Sequence, residues 1–384
     1  MGNRQLTGLP PTVLTSAQPC DTVASKAESE LLDESKQTKG RSKKLAPLGI
    51  LFGVVGLLLF AYFVRDAGVG RIMEGIQRLG FGFLLIIAIS SLRHVVRALA
   101  WTKCVEQPYR LRFRDAFACR LMGDALGNIT PFVSMVVSEP SKAVFARRHV
   151  PLMVGLSAIA LENIFYSLSV IVLIFSGTMA LLLSFPLPGP LRYASFGALA
   201  VTSALLPLGY LVIYKQWRFL SGFMTFLKNR GIARAEKSIP RAQQMEDRIY
   251  GFYQRNRNLF LPILALEFCF HLAGVAEIYV TLSFISDVAP TILAAFILES
   301  VNRVINVVFK FIPFRLGVDE GGSGIIAKVL GLTRPVGTTL AIVRKARDLF
   351  WTAVGLVLMI QRGLSPAAVL KEEEDIGDAL KDQS

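Results

Sequence analysis

The sequence predicts an all-α integral membrane protein, a polytopic helical bundle, and three observations carry that reading. Hydrophobic residues make up 53% of the 384 positions and charged residues only 18%, against about a quarter in soluble domains. Mean hydropathy is +0.50. The run Ala46 to Val64 holds no charge, and as a helix it spans ~28 Å, about one hydrocarbon core. A soluble multidomain enzyme, a disordered chain and a disulfide-rich module are all disfavoured. The net charge of +14 reads as basic cytoplasmic loops rather than a nucleic-acid surface.

The elements follow in order. Residues 1–44 form a polar, disordered cytoplasmic tail without a signal-peptide pattern. Arg41, Lys43 and Lys44 precede the first apolar run, which argues for a cytoplasmic N-terminus; the expected location is the inner (cytoplasmic) membrane. Residues 45–362 form a single membrane domain. After Ala46–Val64, Phe81 to Trp101 carries Arg93, His94 and Arg97. Pro151 to Ser176 holds one acid, Glu162. Tyr193 to Tyr214 is uncharged and contains Pro207. Leu259 to Ser286 contains Glu267, His271 and Glu277. Thr291 to Pro313 contains Glu299, Arg303 and Lys310. Pro335 to Gln361 contains Arg344, Lys345, Arg347 and Asp348. The expectation is about seven spans. Phe113–Phe145 and Pro313–Leu330 are too broken for simple spans. An acidic tail, 363–384, closes the chain.

Loop charges set the orientation. Residues 215–258 hold ten Lys/Arg and three acids, which predicts a cytoplasmic loop. Trp217, Leu220, Met224 and Leu227 fall there at helical spacing, as in a helix lying in the membrane interface or a solvated loop helix. The loop Lys103–Arg114 is also basic. Both loops share a side if Phe113–Phe145 is a re-entrant hairpin broken near Pro131. The four cysteines are scattered, so neither a zinc site nor a disulfide framework is expected.

An internal echo links the halves. Pro131-Phe132 precedes Glu139, and Pro313-Phe314 precedes Glu320, with small residues after each Glu. Paired breaks in two halves of a membrane protein point to a substrate site. Gly317 and Gly321 would let backbone approach a ligand, and helix N-termini after Pro131 and near Gly321 would offer N–H groups to an anion.

Charges inside a bilayer cost ~2.5–3.5 kcal/mol each on insertion scales, so these must face protein or water. Glu299, Asn302, Arg303, Asn306 and Lys310 share one helix face. Arg120, Asp124 and Asn128 sit at i+4 steps. Glu299–Arg303 and Arg344–Asp348 are i,i+4 pairs. Structural ion pairing explains any one of them. It leaves Arg93, Arg97, Lys310 and Arg347 uncompensated, and a surplus of arginine suits a phosphate-bearing head-group. Glu267 and His271 lack a third ligand at clear spacing, so no metal is expected. For Glu267, His271 and Glu277, buried hydrogen bonding is favoured over a proton relay. No Walker loop, GxSxG, HExxH or dinucleotide fingerprint occurs, and no cofactor is expected.

Two motifs resemble the lysylphosphatidylglycerol synthase/flippase-like membrane domain. Asn128-x-x-Pro131, then Glu139-Pro140-x-Lys142 and Arg147-Arg148, is similar to its first region, with Ser138 where the family has Gly. Pro313-x-x-x-Gly317-x-x-Glu320, then Arg344, resembles its second. The resemblance implies helical hairpins and a role in moving lipids or lipid-linked sugars between leaflets. No aminoacyl-transferase domain is expected after Gln361, so lysyl-lipid synthesis is not.

The functional expectation is a flippase-like protein that translocates an anionic lipid or a lipid-linked isoprenoid, hopanoid or glycan through a cationic cavity. Head-group candidates are Arg120, Asp124, Asn128, Glu139, Lys142, Glu299, Arg303, Asn306, Lys310, Arg315, Glu320, Arg344, Arg347 and Asp348. The alternatives are a membrane-embedded transferase and an accessory subunit partnered with a pathway enzyme.

Overall fold

The computed structural model describes residues 58–362 apart from 59, 60, 63, 67, 130–133, 231–232, 311 and 313–314. The expected span Ala46–Val64 (all but its last few positions), the two tails and the breaks at Pro131 and Pro313 lie outside the described residues. All regular structure among the described residues is helical. The helices are α1 Val69–Leu79, α2 Gly82–Cys104, α3 Phe113–Ile129, α4 Ser134–Ala146, α5 Leu152–Ser184 and α6 Gly189–Lys215. They continue as α7 Phe219–Asn229, α8 Ala233–Arg255, α9 Arg257–Ile285, α10 Ile292–Val308, α11 Val318–Val329 and α12 Arg334–Gln361.

Four of them are long and apolar enough to cross a membrane: α2, α5, α6 from Gly189 to Gly209, and α9. Each matches an expected span. The other two expected spans differ. α10 stops at Val308 after 17 residues, ~25 Å and short of a full core. α12 has 28 residues, but every membrane-length stretch of it includes Arg344, Lys345, Arg347 and Asp348. Leu84, Leu183, Tyr193, Leu261, Leu272 and Ile360 face outward, as an apolar solvent requires.

α3 and α4 pack on each other as a helical hairpin. At 17 and 13 residues each falls short of a bilayer. The expected even count of crossings between the two basic loops then falls to α5 and α6. Contact across the loops agrees: Glu106, after α2, pairs with Arg248 at 2.9 Å and Arg255 at 2.7 Å on α8. The loops therefore share one side of the bundle.

α9 packs against α2, α5, α10 and α12, and α12 against α3 and α11. Two apolar clusters result. One gathers Trp101, Met122, Leu126, Phe165, Ile263 and Met359. The other gathers Ile86, Leu181, Leu282, Leu298, Ile326 and Leu340. On α2 and α12 the buried charged positions lie between residues of the two clusters, as Glu267 does on α9; Glu162 lies among residues of the first cluster and Glu277 among those of the second. The charges form a polar layer where the two clusters meet.

Candidate functional site

The polar layer is built from helices distant in sequence. On α2, Arg93 meets Glu277 of α9 at 3.1 Å and Glu299 of α10 at 3.7 Å. One turn along, Arg97 makes a bidentate pair with Glu162 of α5, at 2.8 and 2.9 Å, and donates to Asn163 at 3.1 Å. Arg120 of α3 joins Glu162 at 3.1 Å. Arg347 of α12 bonds Glu277 and pairs with Asp348 at 2.7 Å. Arg303 closes on Glu299 within α10. Phe270 lies among three guanidinium groups, with Arg93, Arg97 and Arg303 at 4.5, 5.7 and 5.1 Å from its ring centroid. Its quadrupole adds attraction that needs no counter-ion.

Several expectations are corrected by these contacts. Arg93, Arg97 and Arg347 are not uncompensated, because Glu162, Glu277 and Glu299 neutralise them across helix boundaries. Arg344 and Asp348 do not pair, since Asp348 turns to Arg347. Lys310 is exposed beyond the end of α10, so the predicted stripe stops at Asn306. Glu299–Arg303 stands as predicted.

Arg120, Asp124 and Asn128 share a face of α3 yet address three different elements. Arg120 reaches α5. Asp124 takes Lys142 of α4 at 2.8 Å. Asn128 donates to Thr352 of α12 at 2.8 Å. Lys142, buried, also holds Glu139 at 2.7 Å, and Asn163 donates to Glu139 at 2.7 Å. Asp124 and Glu139 each keep 34% of their side-chain exposure, and Asp348 keeps 40%. The accessible groups at this end of the network are carboxylates, with the cations behind them.

The second half is organised by α11. The chain leaves α10 through a break that contains left-handed residues, Arg315 at φ 49° and Gly317 at φ 79°. Gly317 tolerates this because it lacks a Cβ. Glu320 accepts the Gly317 N–H at 2.7 Å, so the α11 N-terminus is capped internally. Gly321 is not at the break. It lies within the first turn of α11, its N–H bonded to Gly317 O at 2.9 Å. Lys345 bonds Glu320 and lies 3.5 Å from Asp319, which also takes Arg315 at 3.2 Å.

Arg344 stands apart. It is 7% exposed, and no carboxylate among the described residues lies within 4 Å of it. Nη1 reaches only Ser323 at 3.5 Å, and Nη2 has no partner. Helical spacing flagged Arg344 but missed Glu162 as the partner of Arg97, Glu277 as that of Arg93 and Arg347, and Lys345 as that of Glu320. The one available signal was an isolated acid in an apolar run, which needs a cation from elsewhere. Among the described residues no group of His, Cys, Asp and Glu is placed to hold a metal ion.

The family model described as lysylphosphatidylglycerol synthase TM region matches residues 48–355. No curated protein and no solved structure matches the chain.

Proposed function

Because the chain belongs to the lysylphosphatidylglycerol synthase TM region family, and is a multi-pass membrane protein acting on lipids, we propose that it translocates an anionic lipid or a lipid-linked substrate. The observation that carries this is Arg344. A buried guanidinium without a carboxylate is costly and offers a free fork to phosphate oxygens. In this reading the phosphate docks on Arg344, Arg347 exchanges Asp348 for a phosphate oxygen, and Glu277 and Glu299 keep the remaining arginines neutral. Arg303, Arg315 and Lys310 line the route, Lys142 with Asp124 holds the α3–α4 hairpin, Glu139 ties it to α5 through Asn163, and Glu320 holds α11. Binding energy that differs between two arrangements of these pairs would shift the bundle between open states.

Proteoliposomes test it. Labelled phosphatidylglycerol in the inner leaflet should become quenchable by dithionite in the presence of the protein. Arg344→Gln should slow this about 10–100-fold, the worth of a charge-assisted hydrogen bond of ~1.5–3 kcal/mol. Unchanged translocation in the variant would sink the assignment of Arg344.

The same reading places residues 215–258 and the N-terminus in the cytoplasm, with α7 in the lipid interface. Phe219, Phe223 and Phe226 are 56%, 55% and 52% exposed and lie along one face. Glu246 of α8 caps the other side, accepting the Leu220 N–H at 2.7 Å and the Ser221 hydroxyl at 2.6 Å. Brominated lipid should therefore quench Trp217 fluorescence, read as the difference between wild type and Trp217→Phe. Identical quenching in the two would put α7 in water.

A further inference from the structure

We propose that Glu267 is a proton-binding site in the middle of the bundle, and that its proton is exchanged as Arg120 moves between Glu162 and Glu267. Glu267 is fully buried, and neither of its carboxyl oxygens has a hydrogen-bond partner among the described residues. Its nearest cation is the Arg97 Nε, at 3.8 Å. That nitrogen is engaged by Glu162 at 2.8 Å. Arg120, 3% exposed, also donates to Glu162, through Nη1 at 3.1 Å, and its Nη2 is without a partner. Two arginines thus hydrogen-bond one glutamate and leave its neighbour with a single long ion pair and no hydrogen bond. Glu267 lies ten residues into α9, ~15 Å from its start and about half of the ~30 Å hydrocarbon core.

An ionised carboxylate with no donor in such a place costs several kcal/mol. A proton removes the charge and supplies an O–H that Glu162 can accept. The groups facing Glu267 are few. Arg97 and the buried thiol of Cys104 come from α2, Arg120 from α3 and Glu162 from α5. His271 lies one turn along α9, its Nε2 at 3.0 Å from the Ser169 hydroxyl and its Nδ1 unpartnered. Asn163 connects Arg97 to Glu139, which is partly accessible.

The unpartnered donor on Arg120 and the unpartnered acceptors on Glu267 define two states. In the one seen here, Glu267 holds the proton and both arginines hold Glu162. In the other, the proton has left to water, Glu267 is ionised, and Arg120 bonds it. Formal charge among Arg97, Arg120, Glu162 and Glu267 is +1 in the first state and zero in the second. The switch therefore couples a proton to the charge of the polar layer, which an anionic substrate would also alter. That coupling rests on the translocation reading, and the proton site does not.

Infrared spectroscopy of the full-length protein in lipid tests the site directly. At neutral pH, wild type minus Glu267→Gln should show a protonated-carboxyl carbonyl band that shifts in D2O. Glu267→Asp, which keeps the group, should keep the band. A difference spectrum showing a carboxylate band instead would mean that Glu267 is ionised, bridged by water, and the proposal would fail. If the glutamine variant does not fold, the absence of any such D2O-sensitive band from wild type overturns it equally. A pH gradient across proteoliposomes then tests the coupling: it should change the rate of lipid translocation in wild type and not in Glu267→Gln. The band without gradient dependence would keep the site and refute the coupling. The band without any translocation would refute the translocation reading alone.

Discussion

Glu162→Gln is expected to destabilise the bundle by about 3–5 kcal/mol, the cost of removing one partner from a buried ion pair. Glu162 is 1% exposed and accepts from both Arg97 and Arg120. Glutamine keeps the shape and loses the charge, leaving two buried guanidinium groups with Glu267 as their remaining acid. Unfolding by denaturant in detergent micelles measures the loss. Glu106→Gln makes the control. Its pairs with Arg248 and Arg255 are partly exposed, at 30% for the Glu106 side chain, and such pairs are worth ~0–1 kcal/mol. Equal effects at the two sites would show that the polar layer is hydrated and not a dry, load-sharing network.

Gly337→Ala is expected to cost ~1–3 kcal/mol, as overpacking does, and to loosen α11 from α12. A Cβ at 337 would meet Ser323 O at 2.3 Å and the Ala327 Cβ at 2.7 Å. The first of these is backbone, so relief requires the two helices to separate. Ser323 is the contact of Arg344, and lipid translocation should fall together with stability. Gly197→Ala on α6 provides the opposite case. Nothing lies within 4 Å of its Cβ, and a helical Gly→Ala change there should be neutral or stabilise by up to ~1 kcal/mol. A Gly337→Ala protein as stable as wild type would show that α11 and α12 slide freely.

Residue type and period alone determined much of this protein. Apolar runs long enough to cross a bilayer identified α2, α5, α6 and α9, because hydrocarbon leaves a chain no other way to satisfy its backbone. The broken stretch around Pro131 and the basic loops together implied a hairpin entering and leaving one side, and the Glu106 contacts with α8 agree. Glu299–Arg303 was legible because both residues lie one turn apart on one helix. The neutralisation of Arg93, Arg97 and Arg347 was not. Their partners lie on other helices, 65 positions away for Arg97–Glu162 and 184 for Arg93–Glu277, and no periodicity within a segment encodes which helix faces which. Only tertiary packing decided that. It turned an apparent surplus of arginine into paired charges and, among the described residues, left Arg344 buried without a carboxylate and Glu267 buried without a hydrogen bond. A buried charge offsets its desolvation only through a partner at hydrogen-bond distance, and those distances exist only once the helices are assembled.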